Sequence, residues 1–487
     1  GKFEVEAGER RRKAMLSLAD DKVLPKDHEV TCLVLEDSTE HAIETSLAEN
    51  FHRLAMNPAD EAQAFASLIE AGACAENVAR RFGLTVRFVE GRLRLANLAP
   101  VVFEALASGE ITLAELLSAR GYVTQAVGKW HLGENAESQP QNVGFDDFYG
   151  FLSVSDMYTE WRDPYFFPEI VYSAERTQWL QNQPFNKCFV HAKRGGELTN
   201  VEEVTIPVLS LLDDKWASYS LDFIRRMQGE GKPWFLYHCT RGAHFDNYPH
   251  ERFLGKSPAK HPYKDTLIEL DDIVGRLVAA LRETGQLEHT LIFVSSDNGP
   301  EMETWPDAAY SPFRCAKGST WEGGQRVPGV LSWPGMIEPG QASDGLFSQM
   351  DLFTTALELA GAGDAIPSDR FVDGVDQTSF MLADSGLSNR KHVYYWLGKQ
   401  FSALRVGEYK FMLSSISDDD RDVHNPGGFT GVTQKYPYGR LYNLYLDPKE
   451  TRSYLIRKLA YLEAFQSGVR NHLMTFAKYP PKVVVGL

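Results

Sequence analysis

The chain has 487 residues, a formal net charge of −16, and a composition of 43% hydrophobic and 24% charged residues. This length allows two or three domains, and the composition is that of a globular protein rather than a disordered or fibrous one. The negative charge excludes non-specific DNA binding by the whole molecule but not a local basic patch. No apolar run reaches the roughly 18–20 residues that a membrane span needs.

Residues 1 to about 113 are rich in Ala, Leu, Glu and Arg and show helical periodicity, whereas all nine tryptophans lie further on. A domain boundary is expected near G-E-I-T-L, residues 109–113. The chain opens at Gly1 without a methionine or a secretory apolar region, which for the chain as given favours a cytoplasmic location. Cys32, Cys74, Cys188, Cys239 and Cys315 have no C-x-x-C spacing and read as reduced core thiols rather than a zinc site or disulfide framework.

Within this first part, residues 75–95 read as helix, turn, helix, with Val78, Ala79 and Phe82 on one apolar face and Gly83 as the stop. Arg87, Arg92 and Arg94 on the second helix could lie in a major groove, and five arginines against Glu76 and Glu90 give residues 75–97 a net charge of +3. Helix pairs with exposed arginines are common, so this pattern alone does not separate DNA binding from an ordinary surface. G-E-R-R places Gly8, Glu9, Arg10 and Arg11 at a helix start, where backbone N–H groups and basic side chains suit a phosphate. E-N-F-H-R follows at 49–53. With these boxes, residues 1–113 resemble the ParB family of partition proteins. The resemblance implies a mostly helical segment that contacts DNA through Arg87, Arg92 and Arg94 and a nucleotide through Gly8–Arg11. The family's earliest box and its C-terminal dimerisation domain are absent.

From residue 114 the texture is α/β. A helix is expected at 114–122, a strand at 123–127, a helix at 217–227, a strand at 233–239, a helix at 265–284 and a strand at 290–296. Such alternation predicts a doubly wound, mostly parallel sheet, in which ligands bind beyond the carboxyl ends of the strands. Lys129 and His131 follow the first strand, His244 the second, and Asp297 and Asn298 the third, while Lys317 sits on a glycine-flanked loop. Taken singly, each has a bland reading: D-N-G is more often a turn, and a loop histidine or lysine is usually just solvated. Together they suit a tetrahedral oxyanion. The lysines would neutralise a sulfate or phosphate ester, the histidines would carry protons, and Asp297 and Asn298 offer hard oxygens to Ca²⁺ or Mg²⁺.

These same residues, in G-K-W-H-L-G (128–133), G-A-H-F (242–245), S-S-D-N-G (295–299) and K-G-S-T-W-E-G-G-Q-R-V-P-G (317–329), resemble the type I sulfatase family, the arylsulfatases. W-P-G-M-I-E-P-G (333–340), S-Q-M-D-L-F-T-T-A-L-E-L-A-G (348–361) and L-Y-N-L-Y-L-D-P-K-E-T (441–451) extend the likeness from about residue 111 to the C-terminus. The resemblance implies an alkaline-phosphatase-like fold acting on small-molecule sulfate esters. It makes Asp297 and Asn298 Ca²⁺ ligands, sets Lys129, His244 and Lys317 on the sulfate, and has His131 regenerate the nucleophile. The family's nucleophile is a formylglycine made from C-x-[PA]-x-R or a serine variant. None of the five cysteines has that context, and S-P-F-R-C (311–315) has its proline and arginine one position early. L-A-D-D at 18–21 mimics the family's first-strand aspartates, but R-R-R-K-A-M-L-S before it reads as a charged helix, so Asp20 and Asp21 are not assigned to a metal. The expectation is a sulfatase portion, impaired or inactive in hydrolysis, joined to a ParB-like segment. The alternative is a DNA-binding partition protein carrying a vestigial sulfatase.

Three domains are expected: 1–113, 114–385 and 386–487. The last should be a small antiparallel sheet with a helix. Its strands are expected at 392–398, 401–407 and 409–415, its helix at 454–465 and an irregular loop at 418–438.

Overall fold

The computed structural model describes residues 112–479, apart from 155–157, 160–162, 166–167, 169–172, 183–186, 384–385 and 418–430. Before them it describes 64–69, 72–82, 84–86, 89–90 and 93. The chain divides into two compact units, Gly1–Ile111 and Thr112–Leu487.

In the first unit, helix α1, Ala75–Phe82, buries Val78, Ala79 and Phe82, the face its spacing predicts. They pack with Phe65, Leu68 and Val89, and the Phe65 and Phe82 rings lie 6.1 Å apart. Arg87, Arg92, Arg94, the Gly8–Arg11 box and the Asp20–Asp21 pair lie outside the described residues. Cys74 is exposed, which corrects its reading as a core thiol: it sits one residue ahead of the helix, off its apolar face. Cys315 is buried, and Cys188 and Cys239 are half-buried free thiols.

The second unit begins with helix α2, Leu113–Ala119, capped by a box in which Thr112 accepts from the Glu115 N–H and Glu115 accepts from the Thr112 N–H. Gly121, at φ 87°, turns the chain into strand β1, Val123–Lys129, whose centre is fully buried. Then come β2 (Asp147–Phe151), β3 (Cys188–Lys193), β4 (Thr199–Glu203), helix α3 (Leu212–Glu230) and β5 (Trp234–Cys239). They form one sheet in the order β4-β3-β2-β1-β5. β1 runs parallel to β2 and β5, while β2–β3 and β3–β4 pair antiparallel. The sheet is therefore mixed, not mostly parallel as the alternation implied. β3 alone is reversed: a short turn joins it to β4, and the longer connection from β2, which carries the helix Ala174–Gln181, returns the chain antiparallel rather than crossing over to a parallel strand.

Helix α4, Pro262–Glu283, packs against α3 through Ala280 and Leu281, which meet Leu221 and Ile224. Strand β6, Ile292–Ser295, pairs antiparallel with β7, Gly329–Ser332, in a separate two-stranded ladder. Helix α5, Asp351–Leu359, follows, its first turn tied down by an ion pair between buried Asp351 and Arg390.

A four-stranded antiparallel sheet completes the unit in the order β11-β10-β9-β8, formed by β8 (His392–Leu397), β9 (Gln400–Val406), β10 (Tyr409–Ile416) and β11 (Thr433–Asn443). Three of these strands fall where the sequence placed them. β11 corrects the expectation of an irregular loop up to residue 438. Pro437 and Gly439 disguise it, and both are tolerated because β11 is an edge strand with a bulge opposite Met412–Ser414. The expected helix at 454–465 is instead a 3₁₀ helix, Leu455–Tyr461, broken by non-helical backbone at Lys458, followed by helix α6, Leu462–Lys478. Phe465 and Val469 of α6 pack on Leu404, Phe411 and Leu441 of the sheet.

Trp216 of α3, fully buried, meets Phe151 at the end of β2 with ring centroids 5.2 Å apart, and both join Val127 of β1 and Phe189 of β3 in one cluster. Trp216→Ala should lower unfolding stability by about 3–5 kcal/mol, through lost burial and the cavity left behind. A denaturant titration that moves the midpoint without changing the slope is the expected record.

Candidate functional site

Close packing at the carboxyl end of β1 aligns the first pair of functional side chains. Gly128 lies in register with Cys239 of β5, and a Cβ at Gly128 would fall 1.7 Å from the Cys239 carbonyl oxygen. Glycine therefore lets the two strand ends approach, and φ 96° at this position suits it further. Lys129 leaves β1 next, half-buried. Trp130 and His131 continue along β2, their N–H groups donating to the carbonyls of Phe151 and Leu152 at 2.9 Å each. His131 is exposed, with φ 48°.

Beyond β5, the chain is held by Asp213 at the start of α3. Its carboxylate accepts the backbone N–H groups of Arg241 (2.7 Å) and Gly242 (2.8 Å). Burial raises the Asp213 pKa despite these donors and the Arg241 charge. This turn delivers His244, whose Nδ1 sits against the Phe245 carbonyl. Burial, then the charge of Lys129, and further Lys317 and Arg241, push the His244 pKa down to about 3. Three cations from three segments therefore act on one imidazole, which stays neutral at physiological pH.

Asp297 follows β6 and is exposed, yet its charge reaches β5. Burial, then Cys239 and lastly Asp297 raise the pKa of Tyr237; burial, with Asp297 adding to it, raises Cys239 to about 11, an effect Lys129 opposes. The loop after β6 is stitched to the loop carrying Lys317: the Lys317 N–H donates to the Pro300 carbonyl (2.9 Å) and the Gly299 N–H to the Gly324 carbonyl (3.1 Å). The Lys317 ammonium is paired with Glu301 at 2.9 Å. The structure thus brings Lys129, His244, Lys317 and Asp297 to one edge, and His131 adjoins them through Lys129. Sequence reasoning missed Arg241, although the basic residue in T-R-G-A-H stands right after a strand. It also missed Asp213 and Glu301, whose contacts span the fold and leave no local signal.

The expected calcium pair is not completed. Ca²⁺ takes 6–8 oxygen ligands, and Asp297 and Asn298 together offer at most three side-chain oxygens, the Asn298 amide nitrogen donating to the Gly299 carbonyl at 2.9 Å. Among the described residues no group of three His, Cys, Asp or Glu is placed to hold a metal. Asp297 and Asn298 alone do not fit the ion.

A mixed sheet thus carries oxyanion-compatible cations at its strand ends. A family model described as "Sulfatase" matches residues 81–362, and one described as "Putative sulfatase AslA C-terminal domain" matches residues 402–477. The chain is 35% identical over 322 residues to the N-acetylgalactosamine-6-sulfatase of Sus scrofa, covering 66% of this chain and 57% of that protein. To the same enzyme of Canis lupus familiaris it is 32% identical, covering 77% and 71%. To arylsulfatase A of Homo sapiens it is 32% identical, covering 71% and 67%. Among solved structures, the PsFucS1 sulfatase of Pseudoalteromonas sp. superposes with a TM-score of 0.73 at 37% identity, covering 78% of this chain and 75% of that one.

This chain belongs to the sulfatase family. It spans between 55% and 71% of the length of the N-acetylgalactosamine-6-sulfatases of pig, dog, mouse and rat. The match begins at residue 81, inside the stretch that sequence reading gave to the ParB resemblance. That resemblance, with its helix-turn-helix and DNA partner, finds no support in the comparisons or in the described residues. Among the described residues no helix is long and apolar enough to cross a membrane.

Because the folded pKa of His244, about 3, lies below the ordinary 6.5, the unfolded chain binds its proton more tightly. The group's contribution to stability is therefore complete above pH 6.5 and is lost as the pH falls towards 3. A ring-proton NMR titration should find a midpoint near 3. Saturating sulfate should move that midpoint upward, because an adjacent anion favours the imidazolium.

Proposed function

We propose that this chain carries the sulfate-binding site of a sulfuric ester hydrolase, and that its substrates are sulfate esters of sugars. The observation that carries the reading is the meeting of Lys129, Lys317 and Arg241 around a neutral His244. The two lysines can neutralise a sulfate group through charge-assisted hydrogen bonds, and the charge of buried Arg241 adds to the field they create. Neutral His244 can hold a hydrogen bond to the ester or leaving-group oxygen without adding charge. The sugar assignment rests on the relatives named N-acetylgalactosamine-6-sulfatase. His131, next to Lys129, is assigned proton transfer during turnover.

Calcium would lend Lewis acidity to such a site, but the residues present do not form its ligand set, so no step is assigned to it. Hydrolysis also needs a nucleophile, and no cysteine or serine of this chain stands in the C-x-[PA]-x-R context or its serine variant. The chain as given should bind a sulfate ester and hydrolyse it slowly or not at all.

Sulfate at about a hundred times its dissociation constant should stabilise the protein by about 2.7 kcal/mol, read as a rise in Tm. Lys129→Ala and Lys317→Ala should each weaken sulfate binding by about tenfold or more, the loss of one charge-assisted hydrogen bond. Absence of any sulfate-dependent shift would sink the binding assignment. Rapid turnover of an aryl sulfate by the purified chain would sink the impairment.

A further inference from the structure

Behind the Lys317 loop lies a group of ionic side chains that takes no part in the site. Lys410, the second residue of β10, is fully buried, an unusual position for an ammonium. Its Nζ donates to the Thr320 carbonyl at 2.6 Å and to Glu322 at 3.1 Å, and pairs with Glu450 at 2.9 Å. Arg405 of β9 meets the other oxygen of Glu322 at 3.2 Å, and the Tyr395 hydroxyl of β8 donates to Glu322 at 3.0 Å. Glu450 accepts the Glu322 backbone N–H at 2.8 Å, and its own carbonyl accepts from Arg314 at 2.8 Å. Two carboxylates thus face two buried cations, and Arg314 adds a third charge at the margin. Burial raises the Glu322 pKa, but Lys410 and Arg405 outweigh it and hold the group below its usual range.

The residues seized by this network, Thr320 and Glu322, belong to the segment that presents Lys317. Trp321 between them is fully buried, its indole N–H donating to the Ile416 carbonyl of β10 at 2.7 Å. Thr320 is also bound to Ser402 of β9 at 2.7 Å. Three consecutive residues are therefore fixed to the C-terminal sheet. The segment's other side is fixed to the loop after β6 through Lys317–Pro300 and Gly324–Gly299. Neither side leaves room for slippage: a Cβ on Gly324 would meet the Ala316 carbonyl oxygen at 2.4 Å.

We infer that Lys410 is a positioning residue for sulfate binding: by pairing with Glu322 and Glu450 it sets the segment that aims Lys317 at the anion. Truncating one partner of a buried pair leaves the other charged and unpaired, so the segment must shift to hydrate it. The effect should pass through Lys317 and leave Lys129 on β1 untouched. This inference rests on the sulfate-site reading, and its test is arranged so that the two can fail separately.

The test is a cycle of Lys410→Met and Lys317→Ala, alone and combined, read by sulfate affinity and by the His244 titration midpoint. Lys410→Met should weaken sulfate binding by about tenfold in the parent and by much less in the Lys317→Ala background, as coupled residues do. Equal losses in both backgrounds, or no loss in the parent, would overturn the proposal. If the parent shows no sulfate binding, the site reading fails, and the titration decides alone. Lys317 depresses the His244 pKa, so Lys410→Met should raise the midpoint as Lys317→Ala does, and an unmoved midpoint overturns the proposal. Should Lys410→Met fail to fold, Tyr395→Phe, which removes one hydrogen bond to Glu322, should show the same pattern at smaller size. Lys410→Arg should restore part of the affinity.

Discussion

The site depends on how closely two parallel strands meet at Gly128. With no side chain there, β1 and β5 stay in register up to Gly128 and Cys239, and Lys129 and the His244 turn emerge from adjacent strand ends. Any larger residue would drive the Cys239 carbonyl away. The same contact fixes the electrostatics, since the Lys129 charge is among the causes that keep His244 neutral. Burial alone would disfavour the imidazolium, and the convergent cations reinforce it. Lys129, Lys317 and Arg241 all bear on His244, and Glu301 already pairs with Lys317, so the region keeps a cationic bias suited to an anion that arrives with its own charge.

A second layer of structure holds that arrangement in place. Asp213 grips the turn before His244 through two backbone N–H groups, and the Glu322–Lys410–Glu450–Arg405 group grips the segment after Lys317. Both devices spend buried charge on backbone placement. Buried ion pairs contribute little net stability once desolvation is counted. Their value here lies in fixing where a loop can sit.

Much of this was legible from residues alone. The amphipathic runs of α3 and α4 and the apolar runs of β1 and β5 announced themselves, and with them came the strand-end positions of Lys129, His244 and Asp297. What escaped was short or polar. D-F-Y-G-F of β2 is interrupted by Gly150, and T-N-V-E-E of β4 has almost no apolar content, because β4 lies at the sheet's edge with most of its residues exposed. C-F-V-H-A-K of β3, also unread, is the strand that runs against the other four and so makes the sheet mixed. Arg241, Asp213 and Glu301 act across distance, so no spacing rule reveals them. The ParB boxes show the opposite failing: short basic motifs were specific in appearance, yet the sulfatase match runs into the segment they were taken to define.

The small ladder of β6 and β7 has a topological consequence. Ser295 is paired with Gly329, so residues 296–328, which include Asp297, Asn298 and Lys317, form one closed excursion clasped at its base by four residue pairs. The entropy of closing such a loop grows only logarithmically with its length, about 0.6 kcal/mol for each doubling. The excursion could therefore lengthen or shorten at its surface at little cost, provided the clasp and the contacts behind Lys317 survive. In this unit the freedom to reshape what surrounds a bound ester lies in the loop, while the limit on that freedom lies in a ladder of four short rungs.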